Sequence, residues 1–405
     1  MGSSTEQLSE ESTMPVNGES NEQTLHSFTN TSFSSPIEQW MATNLAKANI
    51  VINGPNPWDP QVHNTALWDR VIRQGSLGLG EAYVDGWWDC QQVDEFISRI
   101  ISAQLNEQVT GRWIMLRHWL MATLFNRQSE KRAYQVGEQH YDAGNDLYQA
   151  MLDPTMAYSC GYWHEAKNLH EAQLNKLRLI CEKAQLKQGE SVLEIGCGWG
   201  SFAEIAAKEY GVSVTGVTIS KEQKKLADER CQGLPVDIEL KDYRSMEGQF
   251  DKLVSIGMFE HVGPKNYDTY MSTAHRLMKD DGIFVLHTIG GDQSKSGTDP
   301  WIDKYIFRNG VIPSLKQISE SVEPYFVIED VHNFGPDYDK TLMAWYQNFA
   351  AAWPELKDQY NERFYRMWSY YLKVCAGAFR SRSLQLYQVV LRKRLDRLPR
   401  YHSVR

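Results

Sequence analysis

Ser191-Val192-Leu193-Glu194-Ile195-Gly196-Cys197-Gly198-Trp199-Gly200 constrains the fold more than any other stretch: an apolar strand carrying an acid runs into three alternating glycines, followed by helix-like residues 203–208. Alternating glycines let the backbone turn tightly and approach a ligand where a side chain would clash. The spacing is Gly-x-Gly-x-Gly, whereas a dinucleotide site uses Gly-x-Gly-x-x-Gly. Glu194 would repel a pyrophosphate, so a cationic ligand fits better. Taken alone, the run also suits a structural strand-to-helix turn in any α/β protein.

The flanking residues extend the pattern. Residues 212–217 alternate β-branched positions and read as a second strand, 221–231 as a helix, and 236–240 as a strand leading to Asp242. Residues 250–256 and 282–288 supply two more strands, with a helix over 268–278 between them. This alternation predicts an α/β fold: a mostly parallel, Rossmann-like sheet with helices on both faces and ligands at the carboxyl ends of its strands. The glycine loop, Thr218, Asp242, Glu260 and His287 are each expected to follow a strand end and to line one crevice.

The catalytic half resembles a class I S-adenosylmethionine-dependent methyltransferase, with Val217-Thr218-Ile219-Ser220 where the acid after the second strand usually stands. That departure, with residues 158–163 (Tyr-Ser-Cys-Gly-Tyr-Trp), 259–264, 286–290, 337–346 and the amino-terminal block 75–88, is similar to the cyclopropane-fatty-acyl-phospholipid synthase family from about residue 40 onward. The resemblance implies methylene transfer from S-adenosylmethionine to a cis double bond of a phospholipid acyl chain. It further implies a bicarbonate ion as general base, held by Cys160, Glu260, His287, Ile289 and Tyr338. For the cofactor it implies Gly196, Gly198 and Gly200 with Glu194 beside the amino acid and ribose, Thr218 and Gln223 near the ribose, Asp242 near the adenine, and Tyr158 and Ser159 closing over the amino-acid end.

The chemistry of those residue types is coherent. An alkene is a poor nucleophile and a carbocation reacts with water, so the site must be dry and must present a base. Bicarbonate carries one O–H, which Glu260 can accept, while His287, Tyr338 and backbone N–H groups near Cys160 and Ile289 donate to the other oxygens. Individually, Cys160 reads equally as a small core residue and His287 as a satisfied core histidine. No second Cys or His stands at a ligand-like spacing, so no metal is expected.

Length and composition divide the chain. A chain of 405 residues exceeds one modest core, so two domains with flexible ends are expected. Residues 1–36 contain no Lys or Arg and five glutamates, which predicts a disordered tail with no secretory character. Residues 37–126 are expected to form a small α+β domain serving lipid binding or dimerisation, with helices over 37–48 and 67–74, extended pieces over 50–52 and 61–63, and a turn over 75–80. A linker over 127–135 leads to the catalytic domain, 136–405. The apolar stretch 113–125 suits a buried or a membrane-surface helix, and no run approaches a transmembrane span. Six cysteines without paired spacing predict reduced thiols in a cytoplasmic protein.

From Arg363 to Arg405 eleven Lys or Arg residues face the single acid Asp396. This segment reads as an amphipathic closing helix, with its basic face either solvated or laid on anionic lipid, and the resemblance tips that balance toward lipid. The expected partner is then an unsaturated phospholipid met at the inner membrane face, with a homodimer and no nucleic acid. Competing readings are an acyl-chain methyltransferase leaving a methyl or methylene branch, a small-molecule N-methyltransferase, and a lipid carrier without catalysis.

Overall fold

The computed structural model describes residues 35–105, 144–395 and 399–405. The apolar stretch 113–125, the linker 127–135 and nearly all of the tail lie outside these residues.

The amino-terminal part contains α1 (Pro36–Ala46), β1 (Gln61–Val62), α2 (Leu67–Gln74), α3 (Ser76–Val84), β2 (Trp88–Asp89) and α4 (Val93–Ser102). Helix α1 starts where Ser35 accepts from the Glu38 N–H and Pro36 takes the first turn. The expected turn over 75–80 is confined to Gly75, and Ser76 already opens α3. Two glycines of α3 serve close packing: a Cβ at Gly78 would lie 2.5 Å from the Arg70 carbonyl oxygen, and one at Gly80 2.4 Å from the buried Trp301 ring. The expected extended piece 50–52 forms no strand.

The remainder runs α5 (Asn145–Met151), α6 (Leu169–Lys183), β3 (Ser191–Ile195), α7 (Ser201–Tyr210), β4 (Ser213–Thr218), α8 (Lys221–Arg230), β5 (Val236–Leu240), β6 (Phe250–Ile256), α9 (Tyr267–Leu277), β7 (Met278–Gly291), α10 (Pro300–Tyr305), α11 (Leu315–Val322), β8 (Phe326–Asn333), α12 (Pro336–Leu356), α13 (Glu362–Arg380) and β9 (Leu384–Lys393). The larger sheet has seven strands in the order β5-β4-β3-β6-β7-β9-β8. The first five pair in parallel, whereas β9 pairs antiparallel with both β7 and β8. Alternation along the strands sends Val192, Val254 and Val285 toward α6 and α7, and Leu193, Leu253 and Leu286 toward α9 and α11. The strand order reverses beside β3, which places the crevice above its carboxyl end.

The closing segment corrects the sequence reading. Only Glu362–Arg380 is helical, and Leu384–Lys393 is a buried strand inside the sheet. Its basic residues face acids of the same chain: Arg392 is 5% exposed and Lys393 6% exposed. Arg392 donates to the Pro399 carbonyl at 2.7 Å, and Lys393 pairs with Asp280 at 3.1 Å. Arg380 pairs with Asp94, Glu95 and Asp339, and Arg405 with Asp330. Much of the positive charge is thus paired with distant acids, while Arg394 and Arg400 are exposed beyond the strand. These same contacts tie α13 to α4, and one hydrophobic core spans α1–α4, α12 and α13.

A second correction concerns β7. It was expected to end at Thr288, with His287 after a strand end, but it runs on to Gly291 because β9 pairs with it along Phe284–Gly291. His287 nevertheless sits level with Ile256, the last residue of β6, and so at the mouth of the parallel region.

Candidate active site

Above β3 the backbone turns through Gly196, Gly198 and Gly200, all at positive φ (84°, 53° and 80°), where other residues are strained. The N–H groups of Gly196 and Cys197 both donate to the Val217 carbonyl at 3.0 Å, fastening the loop to β4. A cavity of about 230 Å³ opens here, lined by Glu194, Gly196, Gly198, Thr218, Gln223, Asp242, Tyr158 and Ser159 among others. A Cβ built on Gly198 meets no atom within 4 Å, so that position borders open space. Gly200 does not line the cavity. It opens α7, and a Cβ there would press on Ala227 at 3.1 Å.

Polar groups around the cavity are held by one another. Thr218 donates to the Gln223 side chain at 2.8 Å, so the residue replacing the usual acid is coupled to the amide expected beside it. Both carboxylate oxygens of Asp242 accept from the Arg244 guanidinium, which keeps its carboxyl below the usual range against the opposing effect of burial. Tyr158 shares a 2.7 Å hydroxyl contact with Tyr371 and packs on Trp345. The segment carrying Tyr158 and Ser159 is pinned by Gln173, whose amide donates to the Ser159 carbonyl at 2.8 Å.

Two cavity features escaped the sequence reading. Lys176 of α6 is buried, lines the cavity and donates to the Ser159 hydroxyl at 2.8 Å. Burial lowers its pKa to about 8 against the pull of Asp153, Cys160 and Glu194. A lysine inside a mixed helix gives no sequence signal, because only the α6 register turns it toward the sheet. His261 and Val262 also line the cavity, and burial holds the His261 pKa below its usual value.

Glu194 is fully buried, with Oε2 unpartnered, and burial pushes its carboxyl well above the usual range despite Lys176 and the Ala203 N–H. A buried acid with an open oxygen beside glycine-lined space suits a cationic group, which would restore its charged form.

The second set lies behind this cavity, and none of its members lines it. Glu260 follows β6 in the short turn Phe259–His261, and its Oε1 accepts from the Ile289 N–H at 2.6 Å. Its Oε2 is buried without a partner, as is Nε2 of His287. Burial raises the Glu260 pKa to about 7 and drives that of His287 well below 6.5, with Lys176 and Lys183 adding to the latter. Cys160 is 0% exposed, its thiol pushed up by burial, and belongs with Tyr338 to the packed cluster against which Ile289 rests. The neighbouring Gly161 N–H donates to Thr341 on α12, one turn beyond Tyr338. The structure thus joins Glu260, Ile289 and His287 at the β6/β7 end and brings Cys160 and Tyr338 in from the facing elements. The Ile289 N–H, expected to face the anion, is occupied by Glu260.

Near the β6/β7 end the structure thus holds an acid near neutrality and a neutral imidazole, each with one buried atom that has no protein partner. Those orphaned atoms fit a small anion that also carries a proton. Among the described residues no His, Cys, Asp or Glu grouping could hold a metal ion.

Comparison with known proteins gives concordant matches. The family described as Mycolic acid cyclopropane synthetase matches residues 128–389. The chain is 56% identical over 352 residues to the cyclopropane-fatty-acyl-phospholipid synthase of Escherichia coli strain K12, covering 87% of this chain and 92% of that one. It is 32% identical to the tuberculostearic acid methyltransferase of Mycobacterium tuberculosis, covering 80% and 81%. Among solved structures, a mycolic acid cyclopropane synthase complexed with SAH and CTAB superposes with a TM-score of 0.61 at 32% identity, covering 64% of this chain and 98% of that one.

Proposed function

The chain belongs to the mycolic acid cyclopropane synthetase family, and from that premise we propose that it converts the cis double bond of a phospholipid acyl chain into a cyclopropane ring. It is an S-adenosylmethionine-dependent methyltransferase acting on unsaturated acyl chains. The observation that carries the finer reading is the pair of buried, unpartnered atoms, Glu260 Oε2 and His287 Nε2, at the β6/β7 end of the sheet.

S-adenosylmethionine supplies the one-carbon unit, and a bicarbonate ion supplies a base for the proton lost on ring closure. Glu194 faces the cationic end of the donor, while Gly196 and Gly198 leave its chain unobstructed. Thr218 with Gln223 holds the ribose and Asp242 borders the adenine; Tyr158, Ser159 and Lys176 close over the amino-acid end. Glu260 accepts the hydroxyl of the anion, and its raised pKa lets one proton be shared where two bare anions would repel. His287 and Tyr338 donate to the remaining oxygens, and buried Cys160 with half-buried Ile289 excludes water. The acyl substrate brings the protein to a membrane surface, and the amino-terminal helices are the proposed site of self-association.

The reading in which a methyl branch remains without ring closure has a specific basis, the 32% identity to a tuberculostearic acid methyltransferase. Ring closure and a methylene branch both end in proton loss, so a base serves either, and the 56% identity to the cyclopropane-fatty-acyl-phospholipid synthase of Escherichia coli favours ring closure. Glu260→Gln should lower turnover on cis-unsaturated phospholipid vesicles about 10²-fold, the usual scale for losing a general base, with donor affinity retained. Removing dissolved CO₂ should slow the native enzyme and added bicarbonate should restore it. A full rate in both cases would remove the anion from the mechanism.

A further inference from the structure

Gln388 lies midway along β9, between β7 and the edge strand β8, 0% exposed and paired in register with His287 on β7 and with His332 on β8. Side chains directly opposite one another on neighbouring strands share a face, so the three form a polar row beside Asp330 and Lys183. The row lies on the face covered by α6, where Lys183 donates to His332 Nδ1 at 3.0 Å. Packing does not require an amide here: the β9 neighbour on the same face is Val390 and the β7 neighbour is Val285.

The contact with His287 is specific. Gln388 Nε2 lies 3.2 Å from His287 Nδ1, while His287 Nε2 is buried without a protein partner. With the amide turned so that Nε2 faces the ring, Nδ1 accepts and the single proton of the neutral ring sits on Nε2; Gln388 Oε1 is itself buried without a partner, and the opposite amide orientation would place the proton on Nδ1. The position of that proton decides what the ring presents to the pocket: an N–H that donates to an anion, or a lone pair that repels it. Burial, with Lys176 and Lys183 nearby, keeps the ring neutral, so the tautomer is the remaining variable.

We infer that Gln388 is a positioning residue that fixes His287 in its Nε2–H tautomer, so that the imidazole donates to the anion held by Glu260. The inference rests on the bicarbonate reading above for its consequence, but not for the tautomer itself.

The test uses full-length protein with ¹⁵N-labelled histidine, in which long-range ¹H–¹⁵N spectra distinguish acceptor nitrogens from N–H nitrogens and His287→Gln identifies the resonance. Native His287 should show Nδ1 as the acceptor and Nε2 as the N–H. In Gln388→Glu, read above the pH at which the buried carboxyl ionises, the carboxylate can only accept, so the proton should move to Nδ1. The bicarbonate concentration giving half-maximal rate should then rise on the order of tenfold, the scale for losing the outer partner of a ligand-holding imidazole. Donor affinity should not change, and Gln388→Leu should weaken bicarbonate dependence without imposing the opposite tautomer. Native protein with the proton on Nδ1 would overturn the inference without any variant being needed, as would a Gln388→Glu protein with native tautomer and native bicarbonate dependence. A native rate indifferent to bicarbonate would instead remove the base assignment, leaving the spectrum to decide the role of Gln388.

Discussion

Glu260 links the chemistry of the pocket to a measurable stability. Its pKa is raised by burial from 4.5 to about 7, so as pH rises the unfolded chain ionises this carboxyl first. The unfolded state then binds fewer protons than the folded one, and stability falls from about pH 4.5 until the folded carboxyl ionises near pH 7, levelling off above it. Gln at this position is neutral throughout. In bicarbonate-free buffer the stability of Glu260→Gln relative to the native protein should therefore grow from pH 5 to pH 8 by an amount approaching about 3 kcal/mol, measured by chemical denaturation. A pH-independent difference would show that the carboxyl is not held in its neutral form. Gly198 allows a similarly paired test. Valine at Gly198 places a branched side chain both at positive φ and in the donor cavity, whereas valine at Gly233 meets the same kind of backbone strain (φ 82°) with nothing within 4 Å and outside the cavity lining. Both variants should lose about 1–2 kcal/mol, but calorimetry should find donor binding abolished only in Gly198→Val.

At the scale of elements, β9 is where sequence and structure part. Strand β6 falls over the expected residues 250–256, and α9 lies within one residue of its expected span, because apolar alternation and helical spacing are local signals. The glycine loop and the residues around it were legible for the same reason. Strand β9 was not, since Leu384–Lys393 ends in basic residues that suggest a solvated helix until Glu329 and Asp280 are brought beside them by the sheet. Lys176 and Gln388 were hidden in the same way, their roles being set by which element covers them. The outcome expected of Arg392→Gln with Lys393→Gln follows from this placement. Stability should fall by about 1–3 kcal/mol through loss of buried partners, while sedimentation with anionic vesicles stays unchanged. Reduced vesicle binding with unchanged stability would return the segment to the surface.

Across the whole molecule, the amino-terminal helices and the catalytic sheet meet through α13 and α10. Arg366 donates to the Tyr83 and Trp88 carbonyls, and Glu81 accepts from Lys304 and Tyr305, just before Phe307 on the cavity wall. With one core spanning α1–α4, α12 and α13, calorimetry should record a single unfolding transition, and Arg380→Ala should lower its midpoint without splitting it. No helix among the described residues is long and apolar enough to cross a membrane. The central claim is ring closure at the donor cavity. Its most direct test is the NMR spectrum and mass of a cis-unsaturated phospholipid after incubation with the purified protein and S-adenosylmethionine. The account predicts a gain of one CH₂, loss of the olefinic signals and appearance of high-field cyclopropane protons; retained olefinic signals or a methyl-branched product would contradict it.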